Sequence, residues 1–132
     1  MIRAYPIVLL LVTALAAACS GDGATTAPSG NGDQIPPATF EVSNDAFTSA
    51  DASDPHSLTV PVNTTVTWTW TATALGHNIV PDDGVTPAPS GGLANAPHIY
   101  QFTFTQPGTF RFYCAAHGAP GGVGMSGRVI VQ

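Results

Sequence analysis

The 132-residue chain contains no lysine, and its only basic side chains are Arg3, Arg111 and Arg128, set against eight aspartates and glutamates. A nucleic-acid partner needs a basic footprint, so that class is excluded. Sulfur is scarce too: two cysteines, Cys19 and Cys114, and two methionines, Met1 and Met125. That is too little for a disulfide scaffold, or for a store built on many thiols or thioethers. No apolar run reaches the ~20 residues that span a bilayer comfortably. No segment beyond the N-terminal stretch repeats with a helical period, which points away from helical bundles.

The N-terminus does not read as fold. A single charge at Arg3 precedes an apolar run from Ile7 to Ala18 that ends in Ala16-Ala17-Ala18. This pattern describes a secretory signal peptide over residues 1–18. Leu15-Ala16-Ala17-Ala18-Cys19 resembles a bacterial lipoprotein signal, in which the cysteine becomes the lipidated first residue. The alternative is ordinary cleavage after Ala18, which leaves a free thiol on an exported tail. Residues 19–37 are rich in Gly, Ser, Thr, Pro and Asp and read as a flexible tether. An exported protein, periplasmic or at the cell surface and held to the membrane at Cys19, is expected. Without Arg3 the chain keeps two arginines against eight carboxylates, a formal net charge of −6 with neutral histidines.

Residues 38–132 read as one all-β domain of short strands. Val66, Trp68 and Trp70 alternate with threonines, and Tyr100, Phe102 and Phe104 alternate with Gln101, Thr103 and Thr105. Leu58, Val60 and Val62 repeat the pattern, and Val129 and Val131 close the chain. Such two-residue periods belong to half-buried strands, and many of them with abundant Gly and Pro indicate a β-sandwich. After the Gln106-Pro-Gly108 turn, Phe110, Phe112 and Cys114 share one facing, so the thiol is expected to point inward at the sandwich rim. A further strand is expected over His77-Asn-Ile-Val80.

The chemistry concentrates in Tyr113-Cys-Ala-Ala-His-Gly-Ala-Pro-Gly-Gly-Val-Gly-Met-Ser-Gly127. One loop offers a thiolate at Cys114, an imidazole at His117 and a thioether at Met125, while His77 supplies a second imidazole from far upstream. A His₂Cys set with a weak axial methionine is the donor set of a blue-copper electron-transfer site. Thiolate suits Cu(I) and imidazole suits both oxidation states, so little need change when an electron moves. Zinc competes for a cysteine and two histidines, but methionine is a poor zinc ligand. Cys114 also admits reading as an inert buried thiol, and Met125 as a loop gap-filler. His56 and His98 lack partner spacing, and Asp82-Asp83 reads as a solvated turn.

Gly76-His-Asn-Ile-Val80, Pro107-Gly-Thr-Phe-Arg-Phe-Tyr-Cys114, His117-Gly118 and Gly124-Met-Ser-Gly-Arg-Val-Ile-Val131 resemble plastocyanin and its bacterial relatives among the cupredoxins. The resemblance covers about residues 38–132. It implies a Greek-key β-sandwich with one type 1 copper, cycling between Cu(I) and Cu(II), near one end. It implies His77, Cys114 and His117 as equatorial ligands, Met125 as the axial one, and Asn78 as a support joining the two ligand-bearing segments. Two features depart from the pattern. Seven residues separate His117 from Met125, against four in plant plastocyanin, so the loop either lengthens outward or displaces Met125. Ala115 follows the cysteine and offers Asn78 only backbone groups.

The expected function is one-electron transfer between exported or membrane-bound redox proteins that dock transiently with a monomer. Ala115, Ala116, Gly118, Ala119 and Pro120 are expected to form a flat docking patch around His117. A copper storage or delivery module without a redox partner is the alternative. No His-x-His pair or second domain supplies the further coppers of an oxidase or nitrite reductase, so no independent catalysis is expected.

Overall fold

The computed structural model describes residues 37–132; the expected signal peptide, Cys19 and the tether up to residue 36 lie outside them. Among the described residues there are eight strands: β1 (Thr39–Val42), β2 (Phe47–Ser49), β3 (Ser57–Val60), β4 (Thr64–Trp70), β5 (Val80–Pro81), β6 (Ile99–Phe104), β7 (Gly108–Ala119) and β8 (Val123–Val131). They form two four-stranded sheets, ordered β2-β1-β4-β6 and β3-β8-β7-β5. Each sheet is mixed. β1 lies parallel to β4 and β3 parallel to β8, while the other pairs are antiparallel.

Alternation sets the facing. In β4 Val66, Trp68 and Trp70 are buried, and Thr67 and Thr69 between them are half-buried. Across the sandwich, Phe112 of β7 is the centre of an aromatic cluster. Its ring lies 5.2 Å from Phe40, 5.0 Å from Phe47 and 5.3 Å from Trp68, edge-on to each. Edge-to-face packing at these separations adds to the area term of burial. Cys114 follows two residues later on the same inward face and is fully buried. Gly127 makes room for this arrangement, since a Cβ there would meet the Phe112 ring at 2.7 Å.

Two strand expectations change. β1 and β2 carry no extended alternation, yet they put Phe40, Val42 and Phe47 into the core. The strand expected from His77 shrinks to Val80–Pro81, and His77 instead forms an isolated bridge with Ala94. The Pro- and Gly-rich segment after β5 folds back and supplies that partner, with no helix among residues 82–97.

Candidate metal centre

β7 and β8 pair regularly up to Tyr113 opposite Ser126, and pairing resumes at Gly118 opposite Gly124. Between these points the four residues Cys114 to His117 stand against Met125 alone. An insertion of this kind interrupts the ladder and re-aims side chains. It sets Cys114 Sγ and His117 Nδ1 3.4 Å apart, with Met125 buried on the facing strand. The hairpin closes this tightly because two positions lack a side chain. A Cβ on Gly118 would stand 2.5 Å from the Met125 carbonyl oxygen, and one on Gly124 would strike the His117 carbonyl.

Beyond the bulge, Ala119 pairs with Val123, and the chain turns through Pro120, Gly121 and Gly122, the two glycines at φ 86° and 84°. The longer loop therefore runs outward as a hairpin tip, and Met125 remains within β8. Asp82 ties the tip down by accepting the Gly121 N–H at 2.8 Å.

His77 arrives from the segment between β4 and β5. Its main chain exchanges hydrogen bonds with Ala94, at 3.0 Å from its N–H and 2.8 Å to its carbonyl. The ring is completely buried, with Nδ1 3.7 Å from Cys114 Sγ and its centroid 4.7 Å from that of His117. One donor atom from each of His77, Cys114 and His117 lies within 4.8 Å of the others. Donors held at ~2.0–2.3 Å from one ion and spread trigonally would stand about 3.5–3.8 Å apart. The observed spacings of 3.4 and 3.7 Å fit that geometry.

Electrostatics favour a neutral, metal-ready His77. Burial, then the nearby His117, push His77 below its ordinary value of 6.5, with Asp45 opposing. A neutral imidazole is the form that binds a metal. Asn78, itself buried, spans the two segments: its Oδ1 accepts the Ala115 N–H at 3.0 Å and its Nδ2 donates to Gly91 O at 3.1 Å. Asn44 is a contact the sequence did not signal. It sits in the turn between β1 and β2, and its Oδ1 lies 3.3 Å from His77 Nε2.

The remaining singled-out residues fall elsewhere. Ala115, Ala116, His117 and Pro120 are exposed, and Gly118 and Ala119 half-buried. His56 Nδ1 lies 2.9 Å from Phe47 O. His98 packs edge-on to Trp70 at 4.6 Å. Asp83 accepts the N–H groups of Val85 and Thr86 at 2.8 Å each, a local turn device. An open cleft of about 270 Å³ borders Met125, Arg111 and Arg128, and none of the three clustered donors lines it.

Known proteins share these features. Over 86 residues the chain is 35% identical to plastocyanin A/B of Petroselinum crispum, covering 59% of this chain and 84% of the relative. A 66-residue stretch, 42% of the chain, is 41% identical to chloroplastic plastocyanin of Silene latifolia subsp. alba and spans 38% of that protein's length. Among solved structures, a reduced Cu(I) form of an amicyanin mutant superposes with a TM-score of 0.54 at 28% identity, over 71% of this chain and 80% of that one. A copper-containing nitrite reductase from Thermus scotoductus reaches the same TM-score at 26% identity, over 73% of this chain but only 22% of its own. The family described as copper binding proteins, plastocyanin/azurin family, matches residues 41–132. With that match across the domain and a thiolate–imidazole cluster suited to a soft ion, the chain belongs to the plastocyanin/azurin family of copper-binding proteins, and copper is its cofactor.

Proposed function

We propose that this chain is a one-electron carrier whose single type 1 copper is held by His77, Cys114 and His117, with Met125 as the weak axial ligand. The observation that carries the reading is the convergence of two remote segments on one cluster, with His77 and Cys114 buried and His117 exposed. When bound, copper supplies the Cu(I)/Cu(II) couple. The protein supplies a frame already closed around the donors, so few groups have to move when the charge changes. Among the described residues no hydrogen bond reaches His117 Nε2, which leaves that ring edge open to a partner. Ala115, Ala116, Gly118, Ala119 and Pro120 surround it with small side chains that let a partner approach closely. Leu75 and Leu93, 63% and 55% exposed, add apolar surface beside the His77–Ala94 bridge. A patch of uncharged, small side chains suits brief encounters with exported redox proteins.

Adding Cu(II) to the purified domain tests the ligand set. An intense thiolate-to-copper band is expected, and Cys114→Ser should abolish it. Reversible reduction with rapid electron exchange distinguishes a carrier from a storage or delivery module, which has no need of either. A large charged residue at Ala116 or Ala119 should slow transfer to the partner and leave the band intact; unchanged kinetics would remove this face from the docking role.

The apolar run ending in Ala16-Ala17-Ala18-Cys19 supports export by residues 1–18 and anchoring through lipidated Cys19, with residues 19–37 as the tether. Labelling with a fatty-acid analogue tests the anchor. Label that persists in Cys19→Ser rules it out.

A further inference from the structure

Asn44 is spent entirely on the segment that carries the upstream imidazole. Its Nδ2 donates to Thr73 O at 3.0 Å, and its Oδ1 accepts the Leu75 N–H at 2.9 Å. These two bonds fix which way the amide points, because a carbonyl can only accept and an NH₂ can only donate. The oxygen is therefore the atom that faces His77 Nε2 at 3.3 Å. An acceptor there requires the ring proton to sit on Nε2. The lone pair then lies on Nδ1, the nitrogen 3.7 Å from Cys114 Sγ.

The turn that presents Asn44 is itself built. Ser43 Oγ receives the Ala46 N–H at 3.2 Å, and the Ser43 N–H donates to Ala46 O at 3.0 Å. β1 and β2 on either side are anchored by the buried Phe40, Val42 and Phe47. The amide thus rides on a rigid hairpin, and it covers a ring that has no exposed surface of its own.

We propose that Asn44 is a positioning residue for the copper centre: it holds His77 in the Nε2–H tautomer, with Nδ1 turned toward Cys114 and His117. The tautomer follows from the contacts whether or not a metal is bound; its consequence for copper rests on the function proposed above. An acceptor on the far nitrogen strengthens the imidazole as a donor, and losing such a partner costs ~10–100-fold in metal affinity. Because Asn44 is itself exposed and water can partly replace it, the lower end, about tenfold, is expected.

The test compares the full domain with Asn44→Ala and Asn44→Asp. Proton–nitrogen NMR on the Cu(I) and metal-free proteins reads the His77 ring directly. The parent should show a protected Nε2–H; Asn44→Ala, which loses one hydrogen bond, should exchange that proton about five- to tenfold faster, and Asn44→Asp, which keeps an acceptor, should retain protection. In the copper-loaded protein Asn44→Ala should also lose copper to a chelator about tenfold faster, and its reduction potential should rise as Cu(II) loses donor strength. A tenfold change in the Cu(II)-to-Cu(I) binding ratio corresponds to about 59 mV. A role confined to folding would lower the melting temperature and leave exchange, chelation and potential where they were. That result, or an unprotected Nε2–H in the parent, overturns the proposal. If Asn44→Ala fails to fold, loss of protection in Asn44→Asp overturns it as well. A parent without a copper–thiolate band would sink the copper assignment instead, and the metal-free NMR would still report on the Asn44 contact.

Discussion

Gly118 is one of two glycines at which β7 and β8 approach too closely for a side chain, and replacing it with alanine perturbs the proposed site while keeping every donor residue. The added methyl carbon would sit 2.5 Å from the Met125 carbonyl oxygen and 2.8 Å from that of Val123. Both obstacles are backbone, so no side chain can swing aside. Ordinary carbon–oxygen contacts begin near ~3.3 Å. Relief therefore requires β7 and β8 to separate by roughly 0.8 Å at this point, more than the ~0.5 Å tolerance of a preorganised site. Overpacking of this kind costs about 1–3 kcal/mol.

Gly121→Ala supplies the control. At φ 86° a side chain is strained, but nothing lies within 4 Å of the added carbon. The left-handed conformation costs roughly 1–2 kcal/mol in a non-glycine residue. The two variants should thus lose comparable stability in denaturant titrations. Only Gly118→Ala should alter the copper absorption band and the Cu(II) electron paramagnetic resonance spectrum, because only it moves Met125 relative to Cys114 and His117. Equal spectra for the two variants, at unequal or equal stability, would refute the claim that the Gly118–Met125 contact sets the ligand geometry.

Phe112→Ala should cost about 3–5 kcal/mol, measured by chemical unfolding, since the ring touches Phe40, Phe47 and Trp68; a loss below about 1 kcal/mol would contradict its central place. Asn78→Ala leaves the Ala115 N–H and Gly91 O without their partner, so stability should fall by about 1–3 kcal/mol and copper should leave faster; stopped-flow chelation reads the second effect. For the metal-free protein, His77 sits below its ordinary value of 6.5. The unfolded chain then binds a proton that the folded state refuses. The stability contribution is present above 6.5 and is lost as pH falls below it. Denaturation between about pH 8 and pH 5 should show this slope, and His77→Gln should flatten it.

What the sequence made legible was whatever repeats or clusters along the chain. The threonine-spaced Val66, Trp68 and Trp70 announce β4, and Phe110, Phe112 and Cys114 announce the inward face of β7. The strands β1 and β2 stayed hidden, because only Phe40 and Val42 alternate in one and Phe47 stands alone in the other, whereas the alternation of β3 continues to Val62. Their pairing is also remote: Phe40 lies beside Trp68 in a parallel register that no local pattern encodes. His77 looked like the start of a strand because Ile79 shares its facing. Its true partner, Ala94, comes from a segment whose prolines and glycines carry no periodic signal. Asn44 was unreadable for the same reason. A Ser-Asn-Asp turn is ordinary, and it acquires a role only where the fold brings it against a ring 33 positions away.

The two imidazoles of the cluster are held by opposite means, and that difference divides the surrounding residues into two sets. His77 has no exposed surface, and its segment is gripped from the Asn44 turn, from the Ala94 bridge and, one residue on, through Asn78. His117 is exposed and sits in a bulge opposite Met125, beside the His77 ring, and among the described residues its one side-chain hydrogen-bonding contact is Cys114. In the proposed site, a buried inner ligand and an open outer one would separate the two demands on a carrier, which are a stable potential and a fast exit. Changes on the inner side should therefore move the potential and copper retention while leaving partner rates to follow the altered driving force alone. Changes around Ala116 and Ala119 should move partner rates at constant potential. An inner variant that slows transfer at unchanged potential, or a rim variant that shifts the potential without slowing transfer, would show that burial does not partition the site in this way.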